Sequence, residues 1–347
     1  MPRLQCNTST GEDRTLVVLS AMQTTKISNR VLQCVRCPNC RSKLHTGATA
    51  WVCVANECRT EHPIVDGIPV LINESRSVFS FADFTSRRIT TLNHRKGALK
   101  WIDENLLPSI SVNYSAKANY DELVKLLLAS SSNPLVLVVG GSAAGAGMMP
   151  LLKNKKIELL ETDVSLGPRT TLVADAHDLP LANEVVDGVV VQAVLEHVVD
   201  PTRCVEEIHR VLKPGGFIYA ETPFIQQVHL PPYDFTRFTR WGHRRLFRWF
   251  EEVGSGATGG PGMALAWSYQ YFLLSFVEKK ALRRAVTVFA RLTSFYLKYF
   301  DRYLSQRSAA LDAASGLFFL GRKAIVPISD RKLIMQYRPP VEPRAKG

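Results

Sequence analysis

From Pro134 onward the chain alternates short apolar runs with amphipathic stretches, a pattern that predicts a parallel sheet with helical crossovers. The first run, Leu135-Val-Leu-Val-Val139, has no polar position, as a strand buried on both faces requires. Further strands are expected at Ile157-Glu-Leu-Leu160, Thr171-Leu-Val-Ala174, Asp187-Gly-Val-Val-Val191 and Phe217-Ile-Tyr-Ala220. Between the last two, Val205, Ile208, Val211 and Leu212 mark a helix, and Lys213-Pro-Gly-Gly216 offers glycines for a left-handed cap. A sixth strand is expected around Phe250-Glu-Glu-Val253, followed by a Gly-rich turn from Gly254 to Gly262. After a helical insert at about 264–312, Gly316-Leu-Phe-Phe-Leu320-Gly-Arg-Lys323 reads as a closing antiparallel strand. Ahead of the sheet, Tyr120 to Leu128 is helical in pattern, and Ser130-Ser-Ser-Asn-Pro134 closes that stretch with loop signals.

The front of the chain has a different texture. Five of the seven cysteines fall between Cys34 and Cys58, a density that speaks for metal binding rather than disulfides in a cytosolic chain. Cys37-Pro-Asn-Cys40 and Cys53-Val-Ala-Asn-Glu-Cys58 form two pairs suited to tetrahedral zinc. Cys34 also makes a C-x-x-C with Cys37, but Pro38 favours the tight turn of the Cys37–Cys40 pair. The expected role is structural, since four thiolates leave no open coordination position and about 40 residues fold poorly without a staple.

Composition narrows the class. A hydrophobic fraction of 46% and a charged fraction of 21% are ordinary for a folded soluble chain. No apolar run approaches the about 20 residues a membrane-spanning helix needs, and the N-terminus lacks a secretory h-region, so a cytoplasmic location is expected. Met22 stands as an alternative start. The net charge of +12 points to an acidic partner, either nucleic acid, an anionic membrane surface or a phosphorylated substrate.

Within the sheet region the chemistry sits at strand ends. The first strand runs into Gly140-Gly-Ser-Ala-Ala-Gly-Ala-Gly147, where glycines allow a tight turn and close approach of a cofactor. Asp163 lies 23 residues beyond Gly140, where an acidic side chain accepts ribose hydroxyls. The string of Asp175 with Leu179-Pro180, Val186-Asp187, Leu195-Glu-His-Val-Val-Asp-Pro201 and Glu207-Ile-His-Arg-Val-Leu-Lys-Pro-Gly-Gly216 resembles the quinone-biosynthesis-like branch of the class I S-adenosylmethionine-dependent methyltransferases. The resemblance implies Gly140, Gly141 and Gly145 under the methionine part of the cofactor. It places Asp163 on the ribose, Asp175 and Ala176 at the adenine, and Gln192 near the sulfonium. Val138 stands where the family usually has an acidic residue, and the glycine spacing departs from the family's. Likewise, the cysteine pairs with His62-Pro-Ile-Val-Asp-Gly-Ile-Pro-Val-Leu-Ile72 resemble the zinc-ribbon proteins that partner tRNA and release-factor methyltransferases.

The fold expected is therefore α/β, a Rossmann-like seven-stranded sheet with the last strand antiparallel, a small zinc-ribbon-like module in front and a helical insert before the last strand. The expected divisions are a weakly structured 1–30, a module at 31–73, a connector with helices at 74–133, the sheet domain at 134–325 and a tail at 326–347. The expected cofactors are S-adenosylmethionine and structural Zn²⁺.

For the methyl acceptor, His197, His229 and Asp234 are the candidate catalytic residues, with Tyr233 and Arg237 in the same Pro-rich loop. The acceptor expected is a small-molecule or glycan- or lipid-linked hydroxyl. Methylation of tRNA or protein, or a non-catalytic binding module, are the alternatives. In the insert, Leu282, Val286, Phe289, Tyr296, Phe300 and Tyr303 recur at helical spacings beside Arg284, Arg291, Lys298 and Arg302. Two readings stand for it: a lid or homodimer helix with a solvated basic face, or an interfacial helix at an anionic membrane.

Overall fold

A computed structural model of the protein describes residues 27–88, 90 and 107–336. The expectations about residues 1–26, Met22 among them, and about 337–347 lie outside the described residues.

All the expected strands form, and they join one sheet with the front module. In chain order the strands are β1 (Leu44–Thr46), β2 (Ala50–Cys53), β3 (Glu61–Val65), β4 (Ile68–Leu71), β5 (Leu135–Val139), β6 (Glu158–Asp163), β7 (Leu172–Ala174), β8 (Val186–Gln192), β9 (Leu212–Pro223), β10 (Phe250–Gly259) and β11 (Gly316–Lys323). The sheet order is β1-β2-β3-β4-β7-β6-β5-β8-β9-β11-β10. Neighbouring strands are parallel from β4 through β7, β6, β5 and β8 to β9, and β11 is antiparallel to both of its neighbours. The seven strands expected of the α/β core are β5 to β11.

The sheet is larger than expected because the front module extends it. Asp66 and Gly67, both with positive φ (51° and 78°), turn β3 into β4 as a two-residue hairpin. Strand β4 then lies parallel to β7, pairing Val70 with Val173 and Leu71 with Ala174. Val70, Leu71 and Ile72 are fully buried, and an apolar run of that kind needs cover on both faces.

Strand β5 shows how the core divides. Leu135, Leu137 and Val139 point into one cluster, Val136 and Val138 into another. The first cluster is filled by the helix Pro201–Val211 through Cys204, Val205, Ile208 and Val211, and by Val31, Val35 and Trp51 of the front module. The second is filled by the helix Ala116–Ser130, whose buried Ala116, Tyr120, Leu123 and Leu127 recur every three or four residues. Asp200 caps Pro201–Val211 by accepting from the Arg203 amide, with Pro at the first helical position.

Three local expectations change. The helix ends at Val211 with an extended cap, and the left-handed glycine, Gly215 (φ 74°), turns the chain before Phe217. The stretch after Val253 is strand as far as Gly259, with register shifts on either side of Gly254–Ala257. Gly256 lies under the Phe318 ring, where a Cβ would come within 2.9 Å, so these glycines serve cross-strand packing. The insert is three helices, Pro261–Leu274, Lys280–Ser294 and Leu297–Leu304. Among the described residues no helix is long and apolar enough to cross a membrane.

Candidate functional site

The turn after β5 begins with Gly140 in the left-handed region (φ 75°). A Cβ there would sit 2.2 Å from Val194 Cγ2, so only glycine fits. Asp163, at the end of β6, accepts from the Ser142 amide (3.1 Å) through one oxygen. Its other oxygen accepts from the Ser165 amide and hydroxyl (both 2.8 Å). The carboxylate therefore braces the glycine turn and still lines a cavity of about 130 Å³ at the ends of β5 to β8. Gly140, Asp163, Asp175 and Ala176 all line that cavity, as do Val78 and Phe79 from the segment after β4. Gly141 lies just behind it, its Cβ position 3.1 Å from Glu161. Val138, in the family's acidic position, is a core side chain.

Asp175 is nearly enclosed. Burial works to raise its pKa, but the His177 ring and amide and the Ser77 hydroxyl outweigh it, and the net shift is downward. His177 Nδ1 lies 2.6 Å from Asp175 Oδ1, and its Nε2 accepts from the Asp200 amide (3.1 Å). That pair of contacts sets the Nδ1–H tautomer.

Gln192 ends β8 and is held on three sides. Its Oε1 accepts from Tyr120 (2.9 Å), and its Nε2 donates to Ala146 O (3.1 Å) and Glu221 Oε2 (2.9 Å). Its amide covers Gly145 so closely that a Cβ there would be 1.8 Å from Oε1. Glu221 also accepts from Asn113 (2.9 Å) and from the Tyr219 hydroxyl, and burial raises its pKa.

A second, larger cavity of about 430 Å³ lies on the other side of Ala193, which lines both. Ala193 is itself in the left-handed region (φ 54°), the kind of backbone strain that concentrates at functional sites. Glu196, Glu221, Asn113, His229 and Met263 are among the walls of this cavity.

Next to it the three candidate catalytic residues come together with one that sequence reasoning left out. The His197 and His229 rings meet edge to face at 4.9 Å. Glu196 is buried beside them, with His197 Nε2 at 3.6 Å and His229 Nε2 at 4.0 Å from its Oε1. One ring nitrogen or carboxylate oxygen from each of the three residues lies within 4.8 Å of the others, without a hydrogen bond between Glu196 and either ring. Neither Glu196 oxygen has a hydrogen-bond partner, and burial pushes its pKa up to about 8. His197 is anchored through Nδ1 at the Tyr233 carbonyl, and burial lowers its pKa.

Asp234 is committed elsewhere. It forms a two-pronged pair with Arg237 (2.5 and 2.9 Å) and accepts from the His229 amide (2.9 Å). Burial opposes ionisation, but Arg237 and His229 hold its pKa down to about 2. It is built to position His229 and the loop, which includes a cis Pro231–Pro232 peptide, rather than to take a proton.

The four sulfurs of Cys37, Cys40, Cys53 and Cys58 lie within 4.8 Å of one another. Cys37 Sγ is 3.7 Å from Cys58 Sγ, and Cys40 Sγ 3.3 Å from Cys53 Sγ. Thiolates at about 2.3 Å from a shared tetrahedral zinc stand roughly 3.8 Å apart. Cys34 points away, donating to Arg30 O (3.3 Å). Burial would raise the Cys40 thiol, but hydrogen bonds from Ser42 outweigh it and bring its pKa down to about 6. Buried His62 adds Nε2 at 3.6 Å from Cys37 Sγ, the place of an outer support for a metal ligand.

Comparison with known proteins finds a likeness over part of this arrangement. Residues 148–220, which carry β6 to most of β9, match the family model described as a methyltransferase domain. Over that stretch, about a fifth of the chain, the protein is similar to methyltransferase domains. No curated protein matches the sequence. Among solved structures, the chain is similar to the [4+2]-cyclase SpnF at 16% identity, over 60% of this chain and 81% of that one, with a TM-score of 0.38. It is similar to geranyl diphosphate C-methyltransferase from Streptomyces coelicolor at 12% identity, over 60% and 76%, with a TM-score of 0.37. A SAM-dependent methyltransferase from Archaeoglobus fulgidus aligns at 15% identity, over 65% and 99%, with a TM-score of 0.37. Around the larger cavity and Gln192, the residues that sequence reasoning missed are Glu196, Glu221, Asn113 and Tyr120. The only signal for Glu196 was its place between Leu195 and His197.

Proposed function

We propose that the protein transfers the methyl group of S-adenosylmethionine to a hydroxyl of a small-molecule, glycan-linked or lipid-linked acceptor, with Glu196 as the general base. The observation that carries this reading is the unpartnered, buried Glu196 carboxyl beside His229 on the wall of the larger cavity.

The residues fit the cofactor at its adenosine end. The smaller cavity presents Asp163 for ribose hydroxyls, Asp175 and Ala176 for the adenine, and the cleared backbone at Gly140. Gly141, Gly145 and Gln192 are the neighbours proposed for the methionine end. When bound, the cofactor supplies an electrophilic methyl on a sulfonium. The chain's own work is to hold an acceptor oxygen in line from the Glu196 side of Ala193 and to take its proton. Glu196 suits the task because a base with a pKa near the working pH combines a useful ionised fraction with driving force for proton transfer. The nearby Arg237 charge favours its ionised form, and Asp234 with Arg237 fixes His229. We further propose that Cys37, Cys40, Cys53 and Cys58 hold a structural Zn²⁺.

Asp175→Ala tests the cofactor half. Removing an acceptor that is locked in place by Ser77 and His177 should weaken S-adenosylhomocysteine binding about 10–100-fold, the worth of about 1.4–2.8 kcal/mol. Calorimetry reads it directly, and an unchanged Kd removes Asp175 from the site.

A further inference from the structure

The insert helices are built inside out. On the helix Lys280–Ser294 the buried residues are the small Ala290 and Ser294, and on Leu297–Leu304 the only buried residue is Asp301. The large apolar side chains face outward instead: Phe276, Phe289, Tyr299, Phe300 and Tyr303 are each more than half exposed, as is Phe272 on the preceding helix. A helix that faces only water and its own core shows the reverse pattern.

The charges around this face are one-sided. Residues 278–307 contain eight Lys or Arg and two acids, Glu278 and Asp301. Asp301 is turned inward, accepting from the amides of Gly260 (3.2 Å), Gly262 (2.7 Å) and Met263 (2.8 Å), so it does not offset the basic surface. Lys279, Lys280, Arg284, Arg302 and Arg307 are exposed, and the Arg307 guanidinium lies over the Tyr303 ring at 4.5 Å.

We infer that this face docks on an anionic lipid surface, with the Phe and Tyr rings entering the headgroup region and the Lys and Arg side chains meeting lipid phosphates. Charge decides the occupant. A two-fold contact with a second copy would press one basic rim against another, whereas an anionic bilayer complements it. The other side of the same helices reaches the acceptor cavity: Met263 lines it, and Tyr271 donates to Val228 O (2.9 Å) next to His229. If the acceptor proposed above is lipid-linked, docking brings it to the cavity from the membrane, a corollary that rests on that reading while the docking itself does not.

Vesicle co-sedimentation of the full chain tests the docking without any turnover. Wild-type protein should pellet with vesicles containing about one-third phosphatidylglycerol at low salt, at least about tenfold better than with pure phosphatidylcholine. Added salt should release it. F276D/F300D and, separately, K280E/R284E should each lose about tenfold or more of this binding while S-adenosylhomocysteine affinity is unchanged, which shows that the variants fold. No wild-type binding to the anionic vesicles would overturn the inference. So would a dimer in analytical ultracentrifugation that F276D/F300D dissociates, since the face would then be a protein interface.

Discussion

Glu196→Gln is expected to lower kcat about 10²–10³-fold, the contribution of a positioned general base and about 2.7–4 kcal/mol of barrier. The substitution keeps the shape of a side chain that has no hydrogen-bond partner to lose, so S-adenosylhomocysteine affinity should stay within about twofold. The pH profile separates this role from a structural one. Burial raises the carboxyl from 4.5 to about 8, and only the ionised form accepts a proton. The wild-type kcat/KM should therefore climb with pH and level off above about 8, while the residual rate of E196Q stays flat through that range. Stability moves the opposite way. Between 4.5 and about 8 the native chain holds a proton that the unfolded chain releases, so this group's contribution is full at low pH and declines as pH rises through that window. E196Q should lack that slope. His229→Ala should cost less, about tenfold in kcat, because its Nε2 stands 4.0 Å from the base rather than taking the proton itself. Full activity in E196Q at pH 8 would remove Glu196 from the mechanism.

Stripping metal from the front module, or replacing Cys53 by Ser, is expected to cost at least about 3 kcal/mol and lower Tm by roughly 6–12 °C. Cys53 is fully buried at the end of β2, two residues after Trp51, which packs into the main core. The damage should not stop at the module, because Ser77 donates to Asp175 (2.6 Å) and Phe79 lines the smaller cavity. Cofactor affinity should fall together with Tm, and both should recover when Zn²⁺ is returned to the stripped wild type. Elemental analysis near one zinc per chain, with differential scanning calorimetry before and after chelation, checks this. Freshly reduced protein that holds no zinc and melts unchanged after chelation refutes it. Cys34→Ser serves as the control, since its sulfur is engaged with Arg30 O and lies outside the cluster.

Much of the fold was legible because burial on both faces writes an unbroken apolar run, as in Leu135–Val139 and Asp187–Val191. Strand β10 was cut short in the sequence reading because its glycines at 254, 256 and 259 look like a turn until Phe318 is seen lying across Gly254 and Gly256, and Ser315 and Met263 against Gly259. The pairing of β4 with β7 had no local signature either. An apolar strand announces that it wants neighbours, not which ones. At the site, Asp163, Asp175 and Gly140 were readable because each follows a strand at a recurrent distance. Glu196 was not, because an unpaired buried acid differs from a surface acid only in what folds around it. Here that surrounding is a loop some 30 residues further on, bringing His229, Asp234 and Arg237 to its side.

The zipper between β4 and β7 also bears on how this protein can be divided. A chain trimmed to begin after residue 106 keeps every residue of the family match but loses β4, and with it the partner of Val173 and Ala174. The bared rim of β7 would offer unpaired amides and carbonyls flanked by apolar side chains, a template for another chain's strand. Such a fragment invites self-association where the intact protein has a closed border, so the four cysteines and the hairpin behind them act as the sheet's selvedge.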